Sequence, residues 1–189
     1  VPSLVVIPAT PLLLPGSAGR ADPLAGLRDV VRDVVVSALD DAGPGPVAVL
    51  GTGPVARAGR LRPTLAAAGI ADPEPAPRAP VWEADAATGP SVALLVLADA
   101  GRDPASVPVD VVEVPGDAPT AVVLAAAQRL RSAALVVVAD HPAPGVDAVL
   151  TELTAVGPWT SDVTDVPAHH EHLPATYRVT VHRRRTVGA

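Results

Sequence analysis

The chain has 189 residues, 49% of them hydrophobic, enough to bury a sizeable core and too apolar for a disordered chain. It contains no Cys, which excludes disulfides, a thiolate zinc site and a cysteine nucleophile; its formal charge of −6 disfavours a nucleic-acid partner. No apolar run approaches the roughly 20 residues that cross a bilayer, so no membrane partner is expected.

The rest of the composition is skewed. Met, Phe and Lys are absent as well, and all fourteen basic residues are Arg, which reads as GC-driven codon usage. With so few aromatic residues the core must be aliphatic. Val1 reads as a GTG start codon rendered literally, the first residues lack a basic leader, and a cytoplasmic location is expected.

Leu4-Val5-Val6-Ile7 is a continuous apolar run stopped by Pro8, as in a buried strand. Pro8, Pro11 and Pro15 then impose an extended loop. Asp22-Pro23 predicts a helix start, with the carboxylate at the cap and Pro at the first helical position. Leu24, Leu27, Val31, Val35 and Leu39 form one helical stripe, which ends at Gly43. Val47 to Leu50 predicts a second strand, closed by a tight strand-to-helix turn at Gly51-Thr52-Gly53-Pro54. A short helical stretch is expected from Thr64 to Ala68, and an irregular loop over 71–90, with Trp82 as an anchor onto the core.

Val92 to Leu97 and Val109 to Val114 read as the third and fourth strands. Asp117 to Arg131 reads as a helix, Ala134 to Val138 as the fifth strand and Val146 to Val156 as a third helix. Residues 157–174 read as a polar loop, and the alternation from Tyr177 to His182 as a half-exposed edge strand. Strands alternating with helices predict one α/β domain over residues 1–189. The expected form is a three-layer α/β/α sandwich with a mostly parallel central sheet and a C-terminal edge strand.

Ligands of open α/β sheets bind beyond the carboxyl ends of the strands. That points to the loop at Ala9 and Thr10, the loop at Gly51, Thr52 and Gly53, and the pair Asp140-His141. Asp140 and His141 are the acid/base candidates, because a carboxylate beside an imidazole can tune it. His169, His170 and His172 offer an alternative metal cluster, although they share one loop and metal sites usually draw on several rigid elements. The glycine turn lacks a G-x-G-x-x-G pattern, there is no P-loop Lys, and no Ser lies in a nucleophile elbow.

The order of these motifs resembles the class III extradiol dioxygenase catalytic-subunit-like family. Pro8-Ala9-Thr10-Pro11-Leu12-Leu13-Leu14-Pro15 stands where actinobacterial members carry a Pro-His-Pro-Pro-Leu-Leu type of segment. Ala139-Asp140-His141 after the fifth strand and Tyr177 to Val181 at the end are similar to later family elements. The resemblance implies an Fe(II) cofactor held by two His and one carboxylate. It places the first ligand at Ala9 and the second at Gly51-Thr52-Gly53, where no His stands. It therefore implies a relative without its iron site, with no cofactor, acting as a binding or scaffold module. The alternative is an Fe(II)-dependent oxidoreductase with ligands relocated to His141, His169, His170 and His172. The sequence leaves open a small-molecule ligand and self-association.

Overall fold

The computed structural model describes residues 2–17, 22–72, 81–139 and 142–185. In chain order these form β1 (Ser3–Val6), α1 (Ala25–Ala42), β2 (Val47–Thr52), β3 (Arg57–Gly59), β4 (Leu61–Arg62), β5 (Ala84–Asp85), α2 (Thr88–Asp99), β6 (Val109–Val114), α3 (Thr120–Leu130), β7 (Leu135–Val138), α4 (Pro144–Thr154), β8 (Trp159–Pro167) and β9 (Thr176–Arg184). Single 3-10 turns lie at Pro11–Leu13 and Ala66–Ala68.

Seven strands make one sheet in the order β3-β6-β2-β7-β1-β9-β8, and β4 and β5 pair separately. The central strands β6, β2, β7 and β1 run parallel to one another. The outer junctions, β3 with β6, β9 with β1 and β8 with β9, are antiparallel. The α/β class is as expected, but the sheet is mixed and not mostly parallel.

Side-chain alternation divides the core between the two sheet faces. Val5, Val49, Val111, Val137 and Val179 point to the face covered by α1 and α2. Leu4, Leu50, Val112 and Val138 point to the face covered by α3 and α4. In α1, Leu27, Val31, Val35 and Ala38 are buried at helical spacing, and Gly43 ends the helix at φ 58°.

Several sequence expectations need correction. Val92 to Leu97 is not a strand but the middle of α2, which is buried nearly all round between the sheet and α1. Six consecutive apolar residues fit a buried helix as well as a buried strand, so periodicity cannot separate them. Pro90 sits in the first turn, where its missing N–H costs nothing. The region expected to be an irregular loop over 71–90 thus contains β5 and the start of α2, while 73–80 lie outside the described residues. Trp82 is half-buried beneath the Arg60 guanidinium, 5.2 Å from the ring centre, and belongs to neither apolar cluster.

Asp22 does not cap α1. The helix begins at Ala25 behind Leu24, and Asp22 forks onto Arg28 instead, with an Nη2 contact of 2.9 Å. Arg28 also donates from Nε to the Leu13 carbonyl at 2.9 Å, which fastens the loop after β1 onto α1. The polar stretch 157–174 is not a loop throughout, because β8 pairs with β9 along its whole length. Its side chains are exposed on both faces, so no hydrophobic alternation announced it. The last strand is in turn not an edge: β9 lies between β1 and β8, with Val179 and Val181 buried.

Candidate functional site

The loops leaving the central strands diverge. From β1 and β2 the chain passes to α1 and α2 on one face; from β6 and β7 it passes to α3 and α4 on the other. Neighbouring strands whose connections leave in opposite directions open a crevice at their carboxyl ends. β1 and β7 are such neighbours. A cleft of about 510 Å³ opens there, a size that suits a small organic molecule.

One wall of the cleft is the run 6–10, from Val6 through Ala9 and Thr10. Pro142 bounds it beyond β7, and Pro174, Thr176, Tyr177, Arg178 and Thr180 form the wall contributed by β9 and its preceding turn. The first wall is held rigidly. Thr10 accepts the Leu12 N–H at 3.3 Å, Ser17 donates to the Pro11 and Leu14 carbonyls at 2.7 Å each, and Arg28 grips Leu13 from α1.

The lining is mostly aliphatic, and Thr10, Thr176, Tyr177 and Thr180 are its hydroxyl-bearing residues. Burial pushes the Tyr177 hydroxyl above its ordinary pKa, so it stays a neutral donor well into alkaline solution. Among the described lining residues Arg178 alone is charged, and Asp165 neutralises it through contacts of 2.8 and 3.1 Å. That hydrogen-bonded pair raises the Arg178 pKa and lowers that of Asp165. The described walls thus offer hydrogen bonds without net charge.

The second expected loop is closed. Gly51 and Thr52 belong to β2, and the chain goes on from Gly53 to β3 and not directly into a helix. A Cβ at Gly51 would lie 2.7 Å from the Pro90 ring, and one at Gly53 would lie 2.5 Å from a Glu113 carboxylate oxygen. Glu113 is fully buried: it accepts from Arg57 Nε at 2.6 Å and from the Ala87 N–H at 2.6 Å, capping α2 from β6. Ala9 and Thr10 therefore line the cleft, whereas Gly51, Thr52 and Gly53 do not.

Asp140 and His141 lie outside the described residues. His169, His170 and His172 are exposed in the turn between β8 and β9. The His170 and His172 rings are 5.6 Å apart, and the His172 N–H donates to His170 Nδ1 at 3.3 Å. Among the described residues no three His, Asp or Glu side chains are grouped to hold a metal ion. An Fe(II) site in the arrangement implied by the resemblance does not fit here. Ala9 has no donor atom, and the Gly51 and Gly53 positions are filled by Pro90 and Glu113.

Sequence reading missed Tyr177, Thr180 and Pro142 as lining residues. The signal was present for two of them: Tyr177 is the sole tyrosine, and Tyr177 and Thr180 both belong to the alternating final strand. Comparison with family models, with curated proteins and with solved structures finds no match to this chain.

Proposed function

We propose that the chain is a three-layer α/β/α relative of the class III extradiol dioxygenases that has no iron site. On this reading it acts in the cytoplasm as a binding module for a small, neutral, aromatic or partly apolar molecule. The observation that carries this reading is the cleft beyond β1 and β7. Ala9, at the position where the resemblance puts the first iron ligand, lines that cleft, and the Tyr177 hydroxyl and three threonines offer hydrogen bonds to an uncharged guest. Aliphatic walls of this size favour a ligand of a single ring system.

Amide chemical shifts recorded while titrating phenol, benzyl alcohol and indole test the proposal. At least one compound is expected to move the signals of Ala9, Thr10 and the 176–180 stretch saturably, and Ala9→Trp is expected to abolish the response. Shifts that are absent, or that persist in the Ala9→Trp protein, would overturn it. Elemental analysis after anaerobic reconstitution tests the iron-free part. Stoichiometric Fe(II) together with catechol cleavage would replace this reading with that of an active dioxygenase using relocated histidines.

A further inference from the structure

Among the described residues the sheet ends at β8, and that edge has no further strand beside it. β8 runs for nine residues, from Trp159 to Pro167, exposed on nearly every side chain and paired on one side only. Natural edge strands are commonly blunted by shortness, bulges, lysines or unpaired charges. Here the ladder with β9 is continuous, and the chain has no Lys. The two carboxylates on the strand are neutralised from β9: Asp162 by Arg183 at 2.9 Å and Asp165 by Arg178 at 2.8 Å.

The hydrogen-bond parity of this edge is fixed by its two ends. The Arg185 N–H donates to the Pro158 carbonyl at 3.0 Å, and the Ala168 N–H donates to the Ala175 carbonyl at 3.0 Å. Even-numbered residues of β8 therefore turn their backbone groups towards β9, and odd-numbered ones turn theirs outward. Trp159, Ser161, Val163 and Asp165 each present a free-facing N–H and C=O to whatever lies beyond the sheet. Pro167, the remaining outward residue, lacks a donor.

We infer that β8 pairs antiparallel with β8 of a second copy of this chain, across a two-fold axis at Val163, to join two sheets into one. Symmetric antiparallel pairing places one residue opposite itself. Val163 is the midpoint of Trp159–Pro167, so this register alone overlaps the strands completely. It sets Ser161 opposite the partner copy's Asp165, and Asp162 opposite its Thr164. Every outward N–H then meets a carbonyl, and each Pro167 faces Trp159 at the end of the ladder, where a missing donor matters least. Axes at Asp162 or Asp165 would oppose identical carboxylates, which is unfavourable. At the chosen axis two valine side chains meet, each 52% exposed in the single chain. β9 stands between this edge and β1, so pairing leaves the walls of the cleft in place.

Sedimentation velocity over a wide concentration range tests the inference with the full chain and two variants. The native chain is expected to show a reversible monomer–dimer equilibrium. Val163→Lys and Val163→Glu each place like charges together at the axis, and each is expected to weaken association by about tenfold or more. An equimolar mixture of the two variants is expected to recover the dimer, because only in this register does residue 163 face residue 163. The Val163 side chain is exposed and its N–H points away from β9, so circular dichroism should find both variants folded as the parent. A native chain that stays monomeric throughout, variants that dimerise like the parent, or a mixture that fails to associate would each overturn the proposal.

Discussion

At the scale of single residues, the decisive contacts are buried or forked ion pairs that arginine alone supplies. Glu113 is the strongest case, since it ties β3, β6 and the start of α2 together. Glu113→Ala leaves Arg57 Nε and the Ala87 N–H without their acceptor, with only the Arg57 Nη2 bond to the Asp85 carbonyl remaining, at an expected cost of about 2–4 kcal/mol. A lower urea midpoint at unchanged slope would register it. The exposed forks behave differently. Asp22, Asp85 and Asp165 all have pKa values below the ordinary carboxylate range, chiefly through hydrogen bonds from Arg28, Arg62 and Arg178. A carboxylate with a depressed folded-state pKa adds stability above its unfolded value of about 4, and that stability is lost as pH falls through the folded value. Stability is therefore expected to be level in this respect near neutrality and to decline below about pH 4, which thermal melts along a pH series would measure. Tyr177 has the opposite sign. Its raised pKa means that stability from the neutral hydroxyl is fully present below the unfolded value of about 10 and is lost as pH rises through the higher folded-state value. Because it is the sole tyrosine, absorbance at alkaline pH follows this one group.

Elements reveal where sequence rules succeed and where they lose to tertiary context. Two helical glycines make the contrast measurable. Gly26 in α1 has open space around a built Cβ, so Gly26→Ala is expected to stabilise by about 0.5–1 kcal/mol through helix propensity. In α4 a Cβ built at Gly145 would collide with the Pro115 carbonyl oxygen, and a backbone atom yields little. Gly145→Ala is expected to destabilise by about 2 kcal/mol despite the better propensity, and thermal melts of the two variants should move in opposite directions. The same competition explains how much of the fold was legible. α1 was readable because one face is wet and one is buried, so its period shows. α2 was not, because burial on nearly all sides erases the period. β8 failed for the reverse reason: both faces are wet, and its pairing rests on the backbone and on cross-strand pairs such as Asp165 with Arg178. Only the three-dimensional order of strands could reveal that β9 is interior.

Across the whole molecule, the candidate site was half legible. The rule that ligands gather beyond strand ends led to Ala9 and Thr10, which line the cleft, and equally to Gly51–Gly53, which are sealed by Pro90 and Glu113. The sealing residues come from α2 and β6, far along the chain, and local reading has no access to them. No helix among the described residues is long and apolar enough to cross a membrane. The placement of β7 has a further consequence, for the time course of folding. β7 is built from residues 135–138, yet it lies between β1 at residues 3–6 and β2 at residues 47–52. The two earliest strands touch each other only through a strand made much later. A nascent chain shorter than about residue 138 therefore carries two apolar strands with their shared neighbour missing, and the sheet must close in one late, long-range step. Pulsed hydrogen exchange during refolding is expected to find the amides of β1, β2 and β7 gaining protection together, after those of α1.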